Sequence, residues 1–491
     1  MPNFLPILKV LIGMRWQRAI LWFRNDLRLH DHEALHTALE SVSEVIPVFC
    51  FDPRWFGETS FGFAKTGPFR TQFLRQAVSD LRYRLREKGS DLIIRWGKPE
   101  EVLPEIALQY GAEGVFAHQE VTPEERQVEE ALEKSLFAEG ITLELIWGMS
   151  LYHLHDLPMP VGSLPEVFTQ FRKQVEKMAD VREQFPTPEQ ISGPGIPDPG
   201  DLPSWEQLGL TEPQHDERAV LPFQGGESAG LERLYDYFWE EDRLKEYKET
   251  RNGLLGSGYS SKFSAWLAMG CLSPRKIYDE VKRYEDLRTK NKSTYWLIFE
   301  LIWRDFFRFI AKKHGHKLFQ ISGIKNETWR GSVDWGKFEK WKEGETGIPF
   351  VDANMKEIKH SGFMSNRGRQ NVASFLVNDL GLDWRMGAEY FESLLVDYDP
   401  CSNWGNWNYV AGVGNDPREG RYFNVISQAK RYDSQGEYVK HWLPVLADLP
   451  SGMVHEPYEA YPNQLRQHGV ELGENYPQPV VNLNRRAAAR R

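Results

Sequence analysis

Five apolar runs divide the first 150 residues of this 491-residue chain and constrain its fold more than any other feature. They read RAILWF (18–23), EVIPVFCF (44–51), DLIIRWG (91–97), GVFAHQ (114–119) and LELIWG (143–148). Segments with helical periodicity separate them, such as 70–88 and 123–139. Strands that alternate with helices form βαβ units, which set parallel strands side by side in one sheet. We therefore predict an α/β domain with a mostly parallel sheet over residues 18–153.

The turn after the first run carries charged side chains instead of glycines. It reads RNDLRLHDHEAL, from Arg24 to Leu35, and lacks the GxGxxG spacing that holds a dinucleotide pyrophosphate. We therefore predict that this α/β domain is not a conventional NAD or FAD binder.

The remainder of the chain follows a different pattern. Proline and glycine accumulate over 154–217, which is typical of an interdomain linker. Long helical patterns such as TYWLIFELIWRDFFRFIAKK then dominate, so we predict an all-α domain over 218–450. We expect a loosely ordered tail over 451–491 and an N-terminal extension over 1–17, with Met14 as a plausible native start.

Composition describes a soluble globular protein, with 41% hydrophobic and 26% charged residues. Cys50, Cys271 and Cys401 lie far apart without CxxC or metal-binding spacing, which predicts no disulfide framework, no metal site and a cytoplasmic location. No apolar run reaches the roughly 18 residues that a transmembrane helix needs. The net charge of −10 argues against a protein that coats duplex DNA through global charge, although local basic patches remain open.

Tryptophan is plentiful, with 17 residues, and the segment Asp397–Tyr409 concentrates two of them. The segment reads DYDPCSNWGNWNY, in which Asn, Asp and Gly disfavour both helix and strand. We predict a loop that lines a pocket for a flat, polar, aromatic ligand. A tryptophan-rich core is the alternative explanation for these rings.

A glycine-rich turn, Gly253–Gly258, leads into Tyr259-Ser260-Ser261-Lys262 and then into a predicted helix. Hydroxyls and free amides at a helix N-terminus are suited to phosphate. Ordinary capping of the helix by serine is the alternative.

Two later segments combine charge with aromatic or amide side chains. Glu300, Trp303, Arg304 and Phe307 fall at i, i+3, i+4 and i+7, so that they share one helical face. This favours a ligand pocket over a salt-bridged surface stripe. The segment 361–375 places polar side chains before a helix, where Arg369 could pair with a carboxylate of 397–409 or belong to a solvated basic patch.

Together these motifs resemble the photolyase/cryptochrome family and, within it, the cryptochrome-DASH branch. WFRNDLRLHDHEAL is similar to the family's N-terminal strand and turn, and the resemblance runs from about 18 to about 450. It implies a Rossmann-like, parallel-sheet antenna domain that a long linker joins to an all-helical FAD-binding domain. It also implies two cofactors, FAD and the antenna 5,10-methenyltetrahydrofolate.

The resemblance assigns residues to the FAD site. The phosphate and ribityl binders would be Tyr247, Ser260, Ser261, Lys262, Phe263 and Ser264. Arg304 would lie near the flavin, Arg369 and Asp397 would flank its ring with Asp399 beside them, and Asn403 would face flavin N5. An asparagine at this last position is the residue type of repair enzymes.

The resemblance also assigns a substrate cavity, an electron path and an antenna contact. Glu300, Trp303, Asn366, Gln370 and Asn403 would form the catalytic set, with Glu300 and Trp303 on the cavity floor. Trp407, Trp384 and Trp329 match the tryptophans that photoreduce the flavin, although core packing is an alternative for each ring. Glu120 matches the glutamate that holds the pterin ring of the folate.

Two positions depart from the photolyases that act on duplex DNA. Tyr409 replaces a second tryptophan beside the lesion, and Gln370 replaces a methionine of the cavity wall. Flipping a dinucleotide out of a duplex costs a few kcal/mol, whereas stacking recovers about 1–3 kcal/mol per base. A weaker apolar clamp therefore predicts a substrate that is already unpaired.

The sequence thus predicts a blue-light flavoprotein that splits cyclobutane pyrimidine dimers in single-stranded or looped DNA, acting as a monomer. Lys248, Arg251, Arg367 and Arg421 would form a basic patch for DNA at the cavity mouth, joined by Tyr409. The alternatives are a blue-light photoreceptor or DNA-binding regulator without repair turnover, and a flavoprotein redox enzyme that works in the dark.

Overall fold

In a computed structural model, which describes residues 15–329, 331–418 and 421–483, the first domain is built on a five-stranded parallel sheet. The strands are β1 (Trp16–Phe23), β2 (Val42–Phe51), β3 (Ile93–Trp96), β4 (Gly114–His118) and β5 (Thr142–Ile146), in the order β3-β2-β1-β4-β5. The helices of this domain are α1 (Glu33–Ser41), α2 (Pro68–Glu87), α3 (Pro99–Tyr110) and α4 (Pro123–Ala138). The predicted α/β fold is confirmed, and each predicted run is a strand.

The central strand β1 positions both faces of the sheet. Ile20 is in register with Ile46 of β2 on one side and Val115 of β4 on the other. Ile20 and Trp22 belong to a core with α3 and α4, whereas Leu21 and Phe23 belong to a core that continues into the second domain. Alternate side chains of one buried strand therefore tie the sheet to two different layers. Residues 1–14, which include Met14 and most of the predicted extension, lie outside the described residues.

A buried polar network fills the turn where a nucleotide-binding loop would place its glycines. The Asp26 carboxylate lies 2.7 Å from His118 Nδ1 and 3.1 Å from His32 Nε2. His32 Nδ1 accepts the amide of Leu35, and His118 Nε2 accepts the amide of Ala34. His118 therefore has Nδ1 free to donate to Asp26 and is held neutral. Burial lowers the pKa of His118 to about 3.

The second domain is helical. Its helices and those of the connecting segment are α5 (Phe168–Met178), α6 (Glu227–Tyr235), α7 (Tyr247–Thr250), α8 (Ser264–Ala268), α9 (Pro274–Leu287), α10 (Lys292–His314), α11 (Trp335–Glu343), α12 (Pro349–Ser361), α13 (Asn366–Ser374), α14 (Trp384–Leu394), α15 (Pro400–Ala411), α16 (Val425–Tyr432), α17 (Glu437–Trp442) and α18 (Pro462–Arg466). The π-helical turns Asp236–Glu240 and Phe375–Leu380 extend α6 and α13. The predicted helical domain is confirmed. No helix of the described residues has the length and apolar character to cross a bilayer.

The predicted loop at 397–409 is wrong from residue 400 onward, because α15 begins at Pro400. Asp399 caps this helix by accepting the amide of Ser402 at 2.7 Å. The side-chain amides of Asn406 and Asn408 donate to carbonyls one turn earlier, at Ser402 and Trp404. These asparagines therefore satisfy their polar groups along the helix, where the propensity argument expected them to compete with it.

The predicted linker contains a helix, which corrects the expectation of a connector without elements. Phe168 and Phe171 of α5 are spaced three residues apart, share one face and pack buried against aromatic rings of α10. The chain then returns to the sheet, where Phe185 O, Ser192 O and Pro199 O accept backbone amides of the first domain. The segment therefore contacts the helical domain first and the α/β domain afterwards.

The chain after residue 450 is packed as far as it is described, which corrects the expectation of a loose tail for 451–483. Val470 and Tyr476 are buried. The Tyr476 hydroxyl donates to Asp352 of α12 at 2.7 Å, and the amide of Val480 donates to Thr346 O at 2.9 Å. These contacts make 451–483 part of the helical domain, while 484–491 lie outside the described residues.

Candidate functional site

A cavity of about 530 Å³ lies inside the helical domain and is called the inner cavity below. It brings together most of the predicted site residues. These are Tyr247, Arg251, Ser260, Ser261, Lys262, Phe263, Ser264, Glu300, Trp303, Arg304, Asn366, Arg369, Gln370, Asp397, Asp399, Tyr409 and Arg421. Asn403 and Trp407 line a smaller side cavity of about 110 Å³, which shares Arg369 and Asp397 with the inner cavity.

The serine-rich segment lies on the cavity wall before α8. The first residue of α8 follows Phe263, which makes no side-chain capping bond, so serine capping does not explain the hydroxyls. Lys262 adopts a left-handed backbone with φ of 57°. Its Nζ donates to Ser257 O at 3.0 Å and lies 3.5 Å from the centre of the Tyr259 ring, and burial lowers its pKa to about 7. The segment thus presents hydroxyls, uncapped amides and a desolvated amine, which suit a phosphate-bearing cofactor.

The Arg369–Asp397 pair predicted from the sequence is present. Arg369 Nη2 donates to both Asp397 oxygens, at 2.9 and 3.0 Å, and Arg369 Nε donates to Met364 O. The Asp397 side chain is 3% exposed, so its charge depends on this partner. A fixed cation beside a carboxylate gives the inner cavity one preorganised polar wall.

Glu300 and Arg251, which were assigned to separate roles, form an ion pair across the cavity. Arg251 Nη1 lies 2.5 Å from Glu300 Oε1. Burial raises the pKa of Glu300, and the charge of Arg251 opposes this rise. A ligand that reaches Glu300 would therefore meet a carboxyl group whose protonation is sensitive to its surroundings.

Trp303 lies on the cavity floor between two aromatic partners. Its ring stacks on Phe168 of α5, with centroids 3.6 Å apart and an interplanar angle of 11°. Tyr409 approaches it edge-on at 6.3 Å. Phe168 was missed because it lies in the proline-rich connecting segment, although its spacing from Phe171 marks a helical face.

An arginine contacts each of the two residues, Tyr409 and Gln370, at which the family resemblance implies a departure from duplex photolyases. Arg421 Nη2 donates to the Tyr409 hydroxyl at 3.0 Å, and its guanidinium lies 4.6 Å from the centre of the Tyr409 ring. Arg367 Nη1 donates to Gln370 Oε1 at 2.8 Å. Tyr409 and Gln370 therefore each present a polar side chain with a cation beside it.

The predicted DNA-binding residues cluster near the cavity but differ in position. Arg251 and Arg421 line it, whereas Arg367 lies beside it and bonds Asn252 Oδ1 at 2.9 Å. Lys248 does not line it, and its ammonium lies 4.9 Å from the centre of the Trp296 ring. Arg418, which the sequence argument did not select, also lines the cavity and is exposed.

The three predicted electron-transfer tryptophans lie on adjoining backbone segments. Trp407 rests on Gly387 of α14, where a Cβ would lie 2.2 Å from its ring. Trp384 begins α14 and donates its Nε1 proton to Ile321 O. Trp329 lies close to Gly331, next to Ser332, which pairs with Leu382 just before α14. Trp384 and Trp407 are buried, which also satisfies the packing alternative.

A second cavity of about 530 Å³ separates the α/β domain from the helical domain and is called the interdomain cleft. Glu120 lines it, but its carboxylate is already bound by Arg308 of α10 at 2.5 Å. Burial, with the charge of Glu120 beside it, raises the pKa of Glu125 to about 7. The cleft therefore offers two neighbouring carboxyl groups to a ligand that donates hydrogen bonds. Arg308 was not predicted, because its only signal in the sequence is its position four residues after Arg304 on the same helical face.

The chain is similar to known proteins along nearly its whole length. Residues 296–491 match the family described as the FAD binding domain of DNA photolyase, and residues 19–189 match the family described as DNA photolyase. A relative from Gloeobacter violaceus named cryptochrome DASH is 54% identical over 476 residues, which cover 97% of this chain and 95% of the relative.

Two solved structures share the architecture. A Synechocystis sp. PCC6803 cryptochrome is 53% identical, with a TM-score of 0.94 over 97% of this chain and 98% of that chain. A bacterial class III photolyase from Agrobacterium tumefaciens is 30% identical, with a TM-score of 0.85 over 97% of this chain and 96% of that chain.

Proposed function

This chain belongs to the cryptochrome-DASH branch of the photolyase/cryptochrome family, and on this basis we propose that it repairs cyclobutane pyrimidine dimers in single-stranded or looped DNA under blue light. The reaction class would be that of a DNA photolyase, a carbon–carbon lyase. We propose that the protein works as a monomer in the cytoplasm, where its three free, buried cysteines would stay reduced.

The family membership supports FAD as the cofactor, and the photolyase-type N-terminal domain fits a folate antenna. When bound, FAD supplies a light-driven electron donor, and the folate supplies absorbed light energy. The hydroxyls of Ser260 to Ser264 and the Arg369–Asp397 pair would hold the FAD in the inner cavity. Glu120, Glu125 and Arg308 would hold the folate in the interdomain cleft.

The residues of the cavity would orient the lesion and control charge. Glu300 in its protonated form, which burial favours by raising its pKa, would donate a hydrogen bond to a pyrimidine carbonyl in place of its contact with Arg251. Trp303 would support the bases from below. Asn403 donates its side-chain amide to Ala388 O at 3.0 Å, which leaves its Oδ1 to accept a hydrogen bond in the side cavity. Asn366 and Gln370 would complete the polar wall.

The observation that carries the single-strand preference is the pair of arginine-bound polar residues, Tyr409 and Gln370. A duplex enzyme must recover the cost of unpairing through apolar stacking. Here the guanidinium groups of Arg367 and Arg421 lie behind the clamp instead. They supply no stacking energy to offset the cost of unpairing, so the clamp favours a strand that is already open.

The test is repair by purified, FAD-loaded, chemically reduced protein under blue light. We expect dimers in single-stranded and looped DNA to be split and dimers in duplex DNA to remain. Tyr409→Trp combined with Gln370→Met should raise repair of duplex substrates, since about 1–3 kcal/mol of stacking returns for each base. Untouched dimers in single-stranded DNA would contradict the enzyme assignment, and an unchanged duplex rate in the double variant would contradict the role of the clamp.

A signalling role remains the second candidate, favoured by the three tryptophans on adjoining segments that would connect the cavity to the chain surface. If the protein acts as a photoreceptor, Trp407→Phe should abolish the light response, while Glu300→Ala should preserve it. Loss of dimer repair with an intact light response in Glu300→Ala cells would assign both functions to one chain.

A further inference from the structure

A second row of aromatic rings begins at Trp407. Its ring meets Trp341 of α11 edge-on, with centroids 6.5 Å apart and an angle of 73°. Trp341 is 5.5 Å from Phe338, and Phe338 is 5.7 Å from Trp335. Trp341 is fully buried, whereas Trp335 is 44% exposed. The row therefore runs from the side cavity to solvent through rings in contact at every step.

The outer ends of the two rows, Trp335 and Trp329, both reach solvent, and Trp335 is the more exposed of the two. Trp329 is half-buried, and its Nε1 atom lies against Gly331. An oxidised indole carries a positive charge, which is costly to hold where no water or acceptor reaches it. Trp335 is open to solvent, so that water can stabilise the charge and accept the Nε1 proton.

Tyr390 adjoins this row but is a poor alternative to Trp335. It lies 5.9 Å from Trp341, and its hydroxyl faces the Lys342 carbonyl at 3.4 Å. Oxidation of a phenol requires that its proton leave, and a backbone carbonyl is not a base. The buried Tyr390 therefore cannot end the row, whereas Trp335 can.

We propose that Trp335 is the surface terminus of a second electron path, Trp335–Phe338–Trp341–Trp407, in parallel with the path through Trp384 and Trp329. This rests on the FAD binding proposed above, because light-excited oxidised FAD is the electron acceptor. Trp341 first donates an electron to the oxidised indole of Trp407. Trp335 then donates an electron to the oxidised indole of Trp341. The Nε1 proton of Trp335 passes to water, and an external thiol then returns a hydrogen atom to the neutral indolyl radical.

The experiment compares tryptophan radicals after a laser flash in FAD-loaded protein, by transient absorption and time-resolved electron paramagnetic resonance. Trp384→Phe cuts the other path, so we expect long-lived tryptophan radicals and thiol-dependent photoreduction to persist in it. Adding Trp335→Phe to that variant should reduce the long-lived radical and the thiol-dependent photoreduction to the amounts seen in Trp407→Phe. Trp329→Phe added to Trp384→Phe is the matched control and should cause no further loss.

The proposal is overturned if Trp384→Phe alone abolishes the long-lived radical, or if Trp335→Phe adds no loss to it. Trp335 is half exposed, so its replacement by Phe should not impair folding. The visible spectrum of each variant reports bound FAD. Repair by chemically reduced Trp335→Phe protein should equal that of the wild type. Missing FAD or missing repair by reduced wild-type protein would count against the proposed function instead.

Discussion

The inner cavity and the interdomain cleft have equal volumes, about 530 Å³ each, and each contains a buried arginine–carboxylate pair. They differ in the parts of the chain that form their walls. The inner cavity is lined by the helical domain alone, whereas Glu120 and Arg308 reach the cleft from different domains. On the proposed assignment, retention of FAD would depend on packing within one domain, and retention of the folate would depend on how two domains meet.

The two cavities also differ in charge. Arginine and lysine outnumber carboxylates around the inner cavity, with Arg418 and Arg421 near its mouth. Carboxylates outnumber arginine and lysine around the cleft, with the exposed Glu58 and Glu124 at its edge. We therefore expect nucleic acid to be attracted to the first opening and repelled by the second, despite the acidic total charge of the chain.

The largest effect is expected from breaking the Arg369–Asp397 ion pair of the inner cavity. Arg369→Ala leaves the buried Asp397 charge uncompensated, which should lower the free energy of unfolding by about 3–5 kcal/mol and release FAD. Chemical denaturation and the visible spectrum of the purified protein measure both. Arg126→Ala, in the exposed Arg126–Glu130 pair, should change stability by less than about 1 kcal/mol. A yellow, stable Arg369→Ala protein would contradict this account of the cavity.

The cleft should respond separately to Glu120→Gln. Loss of one charged hydrogen bond of about 1.5–3 kcal/mol predicts folate binding that is about 10–100 times weaker, with FAD retained. Titration with 5,10-methenyltetrahydrofolate measures the folate affinity, and the absorption spectrum reports how much of each chromophore is bound. Glu124→Gln is the control, because that carboxylate lies on the same cleft but is exposed. Loss of both chromophores from Glu120→Gln would show that the two cavities are not independent.

Acid should weaken the α/β side of the cleft through His118. Its folded pKa of about 3 lies below the ordinary histidine value of about 6.5, so the unfolded chain binds the proton first. The stability is present above pH 6.5 and is lost as the pH falls, by about 2 kcal/mol at pH 5. His118→Gln should lose less stability over that range in denaturation curves. If the free energy of unfolding falls equally with pH in the wild type and in His118→Gln, His118 is excluded as the source of the acid sensitivity.

The smallest effect concerns the mouth of the inner cavity. Arg418→Gln, at an exposed arginine of the cavity lining, should weaken binding of single-stranded DNA and reduce the slope of log affinity against log salt by about one. Fluorescence anisotropy at several salt concentrations measures this slope. Arg126→Gln, on α4, should leave it unchanged. Equal slopes for wild type and Arg418→Gln would remove Arg418 from the DNA surface.

The sequence predicts the parts of this molecule that depend on local periodicity. The five strands follow from apolar runs, and the shared face of Glu300, Trp303 and Arg304 follows from helical spacing. The partner of Arg369 was not fixed by its local sequence, which also allowed a solvated basic patch, and the choice of Asp397 came from the family resemblance.

Contacts between distant segments leave no signal in local periodicity. Nothing near Trp303 in the chain indicates that Phe168 stacks on it, and nothing near Glu120 indicates Arg308. The helix at Pro400 was missed for a different reason. Propensity treats each asparagine as a competitor of the helix, whereas a strong Asp399 cap and backbone-directed amides reverse that preference.

The path of the connecting segment limits how this protein can be divided. The chain leaves the sheet after β5, packs α5 beneath Trp303, and returns to bond the sheet at Phe185 and Ser192 before it enters the helical domain again. Wherever a single peptide bond is cut, at least one of the two halves would carry a segment that packs with the other domain. A chimera that exchanges the antenna domain with a relative must therefore be joined at three places, one for each crossing.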